Sequence, residues 1–315
     1  MTSDLTAARQ RIASRLVGRE RELEIVLSAV AAGRDLLIEG PPGASKTTML
    51  KAITAEWGIP LMFVEGNADL TPSRLIGHHN PARVLREDYT ADNFVEGPLV
   101  AAMRAGGFLY IEEFNRAPED TLNTLLTAMA DRRVTIPRVG EIVAASTFRV
   151  VASMNPYDNI GTTRLSTSVH DRLCRLAVDY QDEEAERGIV ALRTDAAEGD
   201  PLPRLISDAV ALTRATRVHP DIRQGSSVRG AIDCVMVARQ LAELRGIVSA
   251  DAIDAIDAVD AAGKPTYPAM MLDAMTVALS GRIHLDEAAD TTPEAVLREI
   301  WEDHFILTPA MAEPG

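Results

Sequence analysis

The chain has 315 residues, 46% of them hydrophobic and 25% charged, with a formal net charge of -14. That length predicts about two domains and a core large enough to need no disulfide or structural metal. The acidic balance argues against a nucleic-acid coat or an anionic membrane surface as partner. The two cysteines, Cys174 and Cys234, are far apart, which argues against a zinc ribbon or disulfide framework and points to a reducing cytoplasm. No stretch reaches the roughly 18 apolar residues that span a bilayer. Arg9, Arg11 and Arg15 interrupt any signal-peptide core near the start.

In chain order, Ala8–Ala32 reads as one helix, with Leu23, Val26, Leu27 and Val30 on a single face. Gly33 ends it. Asp35–Glu39 is a strand-length apolar run, followed by a glycine-rich turn and a helical pattern over Lys46–Trp57. Gly58-Ile59-Pro60 breaks that helix, and Leu61–Val64 reads as the next strand. Strand, helix and strand joined by short turns predict a parallel sheet between helices.

The stretch Asn67–Glu96 is polar, broken by Pro72 and Pro81 and too long for an ordinary connection, so it is taken as an insertion. Gly107–Ile111 and Phe148–Met154 are further strand candidates. Between them, Pro118–Arg132 carries a helical stripe of Leu122, Leu125, Leu126 and Met129, and Val134–Val143 reads as a β-hairpin around Pro137 and Gly140. From about Asp182 the pattern is helical alone. Pro203–Val218, Ser226–Gly246, Ser249–Ala262 and Pro268–Leu279 each show helical spacing, and Thr292-Pro293-Glu294 opens a last helix towards Trp301. The expectation is an α/β core over residues 1–190, with an insert at about 67–97 and a hairpin at about 132–149, followed by a helical domain over 191–315.

Gly40-Pro41-Pro42-Gly43-Ala44-Ser45-Lys46-Thr47 stands between a strand and a helix, the position of a Walker A loop. There the backbone N–H groups and the helix dipole favour an anion. Lys46 is placed to reach the β- and γ-phosphates of ATP, and the Thr47 hydroxyl to bind Mg²⁺. Thr48 continues the helix start. Ser45 occupies the place where this loop usually has glycine. A left-handed backbone there costs a serine about 1–2 kcal/mol.

Glu112 and Glu113 end the apolar strand Phe108–Ile111, and strand C-termini gather at the ligand crevice of such sheets. Glu112 is placed to hold Mg²⁺ and Glu113 to polarise water. On its own the pair equally describes a solvated strand end; the phosphate loop upstream shifts the weight. Asn155, after the Phe148–Met154 strand, is a candidate to hold the attacking water or the γ-phosphate.

The phosphate loop, Ile111-Glu112-Glu113-Phe114-Asn115-Arg116-Ala117-Pro118, Ser153-Met154-Asn155-Pro156 and Phe94-Val95-Glu96-Gly97-Pro98-Leu99 together resemble the MoxR branch of AAA+ ATPases, close to the magnesium chelatase I subunit. The likeness runs from Val17 to about Leu244, and Asn115–Pro118 is its most specific part. It implies a P-loop AAA+ core followed by an all-α lid, with Val17 and Gly18 near the adenine. The insertion corresponds to a helix-2 insert and the 134–143 hairpin to a pre-sensor hairpin. Gly225-Ser226-Ser227-Val228-Arg229 resembles the second-sensor motif, so Arg229 would touch the γ-phosphate from the lid. Arg172 would be an arginine finger acting on a neighbouring subunit, with Arg175 the alternative.

The resemblance further implies a homo-oligomer, usually a hexameric ring, a von Willebrand A domain co-worker and a metalloenzyme client remodelled by a chaperone-like ATP cycle. A nucleotide-stabilised ring scaffold with weak hydrolysis is the competing expectation. A nucleic-acid motor is disfavoured by the charge and by an aromatic content of 4%. The family normally has aspartate where Glu112 stands, and the extra methylene predicts slow hydrolysis. His78 and His79 are assigned to a solvated loop, Met236, Met271 and Met275 to core filling, and Asp182, Glu183, Glu184 and Glu186 to a solvated helix start.

Overall fold

In the computed structural model, residues 5–156, 165–195, 204–247 and 266–307 are described. The chain divides into two compact units, Met1–Asp179 and Tyr180–Gly315, so the boundary falls before the 190 expected from sequence. The predicted helix Ser249–Ala262 lies outside the described residues.

The first unit opens with two helices, not one: α1 (Leu5–Ala13) and α2 (Glu20–Ala31). Gly18, in the turn between them, has φ 66, a left-handed backbone that glycine adopts without strain. Then come β1 (Leu36–Glu39), α3 (Lys46–Trp57) and β2 (Leu61–Glu65). The insertion is ordered as α4 (Pro72–Ile76), β3 (Gly77–His79), α5 (Pro81–Glu87) and β4 (Phe94–Glu96), with β3 and β4 paired antiparallel. After it follow α6 (Pro98–Ala105), β5 (Phe108–Glu112), α7 (Glu119–Asp131), the β6 (Arg133–Ile136) and β7 (Gly140–Val143) hairpin, β8 (Arg149–Met154), α8 (Thr167–Arg172) and β9 (Cys174–Ala177).

The central sheet has the order β2-β5-β8-β1-β9, and every pairing is parallel. β1, the strand leading into the glycine-rich loop, is next to β8 and one strand removed from β5. The C-terminal ends of β1, β5 and β8 therefore lie side by side. Both faces of the sheet are covered, which explains the unbroken burial of β1 and of Phe108–Ile111. One face packs on α1, α2 and α3 through Ile12, Leu23, Leu36, Ile53, Phe108 and Tyr110. The other packs on α6 and α7 through Leu37, Leu99, Leu109, Leu125 and Val150. At the end of β1 away from the loop, buried Asp35 accepts from Val150 N–H at 2.8 Å and from Arg132 at 2.6 Å, tying the start of β1 to β8 and the hairpin. Burial raises the Asp35 carboxyl above its ordinary pKa, against the pull of those two partners.

Among its described residues the second unit is helical apart from a short antiparallel ladder. It contains α9 (Glu183–Arg193), α10 (Leu205–Ala215), β10 (Ile222–Gln224), α11 (Val228–Arg245), α12 (Tyr267–Leu279), β11 (His284–Leu285) and α13 (Pro293–Glu302). The structure is a parallel-sheet AAA+ core followed by a helical lid. The helices of the second unit share one core that includes Val210, Val235, Met271, Met275, Leu297 and Trp301.

Three expectations need correction here. Met236 is exposed, whereas Met271 and Met275 are buried as assigned. Glu186 is buried, not solvated, because Arg214 and Arg217 bond it at 3.1 and 2.8 Å. Asp182, Glu183 and Glu184 are exposed at a helix start as assigned, with Asp182 capping α9 by accepting from Ala185 N–H at 2.8 Å. His79 packs edge-on against Tyr89 and Phe94, with ring centroids at 5.2 and 5.4 Å. It lines a hollow of about 320 Å³ between the insertion and the Pro137 turn of the hairpin.

Candidate functional site

The loop Gly40–Ser45 turns from β1 into α3 by way of two left-handed residues, Gly43 (φ 78) and Ser45 (φ 63). Ser45 thus holds the conformation that glycine adopts most cheaply. Gly40 has its own reason: a Cβ there would lie 2.2 Å from the Val178 carbonyl oxygen. The turn aims the first N–H groups of α3, whose intrahelical partners are missing by construction, into the concave side of the loop. Lys46 is buried, and its Nζ donates to the carbonyls of Gly40 at 2.7 Å and Pro41 at 2.9 Å. The lysine therefore spans the loop mouth. Ala44 is buried, Thr47 half-buried, and Pro42 and Thr48 exposed.

Thr47 and Glu112 meet, with Thr47 Oγ1 donating to Glu112 Oε1 at 3.0 Å. An alcohol oxygen and a carboxylate at this separation are the ligand types that hard dications take. Two residues that the sequence reading did not single out complete the cluster. Tyr110 Oη lies 3.1 Å from Thr47 Oγ1, 3.4 Å from Glu112 Oε1 and 2.9 Å from Ser153 Oγ. Burial, with a smaller contribution from the Glu112 charge, pushes the Tyr110 hydroxyl up to about 12, so it is a neutral donor. The signal for it was present in the period of two: Tyr110 and Glu112 share one face of β5.

Glu113 leaves the strand in a left-handed conformation, φ 53 and ψ 44. That turns its half-exposed carboxylate to Arg116, whose Nε donates at 2.8 Å. Gly66, just beyond β2, makes this bend possible. Its N–H donates to the Glu112 carbonyl at 2.7 Å, and a Cβ there would fall 2.3 Å from the Glu113 oxygen. Asn155 is half-buried at the end of β8, in line with β1 and β5.

The remaining candidates are dispersed. Val17 and Gly18 are half-buried between α1 and α2. Next to them, buried Arg19 bonds Glu22 at 3.2 Å and the Asp179 carbonyl. Arg172, at the end of α8, is exposed and donates to the Ser168 carbonyl at 3.0 Å. Arg175 pairs with Glu39 at 2.5 Å, so its guanidinium is engaged at the end of β1 in its own chain. Arg229 is exposed at the start of α11 in the second unit. In that unit His219, Asp221 and Glu299 also approach one another. There, however, His219 Nδ1 accepts from Asp221 N–H at 3.3 Å. His219 Nε2 lies 3.6 Å from a Glu299 carboxylate oxygen.

A strand, a glycine-rich loop and a helix, with an acidic strand one place removed in this sheet order, are the arrangement of the AAA+ ATPase fold. Residues 35–173 match the family of AAA domains of the dynein-related subfamily. Among curated proteins, the gas vesicle ATPase GvpN of Ancylobacter aquaticus is 29% identical over 244 residues, covering 71% of this chain and 65% of that protein. This chain thus spans just under two thirds of that relative. The uncharacterised protein YojN of Bacillus subtilis is 28% identical over 240 residues, covering 73% of this chain and 77% of its own. Among solved structures, a candidate ATPase of Cytophaga hutchinsonii superposes with a TM-score of 0.50 at 21% identity, covering 94% of this chain and 92% of that one. The Holliday junction branch migration motor RuvB of Thermotoga maritima gives 0.51 at 18% identity, covering 86% and 72%. Among the described residues, no helix is long and apolar enough to cross a membrane.

Proposed function

We propose that the protein binds ATP with Mg²⁺ in the Gly40–Thr47 loop, hydrolyses it slowly, and uses the cycle to remodel a client protein in the manner of the MoxR branch. The observation that carries this reading is the Thr47–Glu112 contact of 3.0 Å beside the Lys46-spanned loop. Loop amides and Lys46 would hold the phosphates, Thr47 and Glu112 the cation. Magnesium would supply charge neutralisation on the phosphate oxygens. Glu113 would orient water once released from Arg116, and Asn155 would bond the water or the terminal phosphate. The likeness to a gas vesicle ATPase supports hydrolysis as the activity.

Arg172 is the better finger candidate, because Arg175 is engaged by Glu39. A finger acting in trans requires an oligomer, and a hexameric ring is the proposed form. Arg229 is the proposed lid arginine. A von Willebrand A domain co-worker, a metalloenzyme client and a cytoplasmic location complete the proposal; they rest on the motif resemblance and the cysteine usage.

A second reading, a nucleotide-held scaffold with little turnover, is favoured by the Glu113–Arg116 ion pair at 2.8 Å. Single-turnover hydrolysis by the parent and by Glu113→Gln separates the two. A fall of about 100-fold or more in the variant supports the enzyme; equal background rates support the scaffold. Lys46→Ala, assayed by nucleotide titration, is expected to lose binding, and retained affinity refutes the site.

A further inference from the structure

Buried tyrosine hydroxyls need partners, and Tyr110 finds them at the proposed cation pair and, behind it, at Ser153. The ring is fully buried and meets Phe63 edge-on at 5.7 Å. A phenylalanine would fill that packing role equally well. The hydroxyl instead sits among three oxygens, Thr47 Oγ1, Glu112 Oε1 and Ser153 Oγ, at 3.1, 3.4 and 2.9 Å.

Counting protons orders this cluster. Three hydroxyls bring one proton each, and the Glu112 carboxylate accepts only. Thr47 donates to Glu112, so its lone pairs are what it offers to Tyr110. Tyr110 then turns its one proton towards Thr47 Oγ1 and Glu112 Oε1, which share it, and Ser153 donates to Tyr110. One Thr47 lone pair is taken up by Tyr110, and the other is left with a fixed direction.

We infer that Tyr110, backed by Ser153, is a positioning residue that orients the Thr47 hydroxyl and the Glu112 carboxylate to receive the divalent cation. This rests on the nucleotide-site reading above and deepens it. It also accounts for glutamate at position 112. The longer side chain reaches both Thr47 and the Tyr110 hydroxyl, so its additional torsion is restrained by two contacts.

The test is a Mg²⁺ titration of nucleotide affinity on the full chain, using a fluorescent ADP analogue with parent, Tyr110→Phe and Ser153→Ala proteins. One lost hydrogen bond corresponds to a change of about 3- to 10-fold. Tyr110→Phe is expected to raise the half-saturating Mg²⁺ concentration by that factor while leaving affinity in EDTA within about twofold. Ser153→Ala, whose bond is to Tyr110, is expected to move the same way by less.

An unchanged Mg²⁺ half-saturation in Tyr110→Phe overturns the assignment. So does an equal loss of affinity in EDTA, which is the mark of a packing role. Should Tyr110→Phe not fold, Ser153→Ala alone decides by the same criterion. If the parent itself shows no Mg²⁺-dependent nucleotide binding, the nucleotide-site reading fails and this inference with it. A parent that binds beside an unresponsive variant removes only the inference.

Discussion

Replacing Gly66 by alanine tests how the bend at Glu113 is held. The added carbon would stand 2.3 Å from the Glu113 carbonyl oxygen, 2.9 Å from its carbon and 3.0 Å from the Glu112 oxygen. Ordinary carbon–oxygen contacts lie at about 3.3–3.6 Å, so some part of the pair must shift by about 1 Å. All three atoms are backbone of the segment that carries the proposed water-polarising glutamate. The segment is also fastened to Gly66 by the 2.7 Å bond from its N–H to the Glu112 carbonyl. Relief by rotating a side chain is therefore unavailable.

Overpacking of this kind costs about 1–3 kcal/mol, within the stability of a domain this size, so the variant is expected to fold. A displacement of about 1 Å at reacting groups costs about 100-fold in rate. Phosphate release should fall by roughly that factor, while affinity measured by nucleotide titration stays close to the parent's. Gly281→Ala, where an added carbon meets nothing within 4 Å, is the control. A folded Gly66→Ala protein whose turnover lies within about twofold of the parent refutes the reasoning.

Two further outcomes are expected. Ser45→Gly relieves a left-handed serine at φ 63, worth about 1–2 kcal/mol. The larger backbone entropy lost by glycine offsets about 0.5–1 kcal/mol, so a net gain of up to about 1.5 kcal/mol is expected in urea denaturation; a clear loss would contradict the strain. Cys174 is exposed and Cys234 buried, and burial, with a smaller contribution from the Asp208 charge, pushes the Cys234 thiol up to about 12. Thiol labelling of the native protein at pH 8 should modify one cysteine per chain promptly and the second only in denaturant. Prompt labelling of both would contradict the packing of α11.

The parallel core was legible because its strands are buried on both faces and read as unbroken apolar runs, as in Leu36–Ile38 and Phe108–Ile111. The loop with Lys46 and Thr47 was legible because it is contiguous, and Glu112 because it ends an unbroken apolar strand. The break between α1 and α2 was not, since Ile12, Leu16 and Leu23 keep apolar residues recurring across the turn that holds Gly18. The insertion read as polar loop because its helices and strands are three to seven residues long, too short to show a period. Glu186 looked like a solvated charge because its partners, Arg214 and Arg217, lie about thirty residues downstream and reach it only through the fold.

The same distinction separates the two halves of the proposed site. The loop acts through contiguous residues, and local sequence specifies it. The acidic side acts through convergence. Gly66 from β2, Tyr110 and Glu112 from β5 and Ser153 from β8 meet only because parallel pairing in the order β2-β5-β8-β1 brings their strand ends together. Departures from the usual residues follow that division. Ser45 is a local substitution whose strain sits on one residue and is relieved by one change. Glu112 is embedded in a cluster drawn from three segments, so shortening it to aspartate disturbs Thr47 and Tyr110 together. The effect of Glu112→Asp should therefore depend on whether residue 110 carries a hydroxyl, whereas that of Ser45→Gly should not.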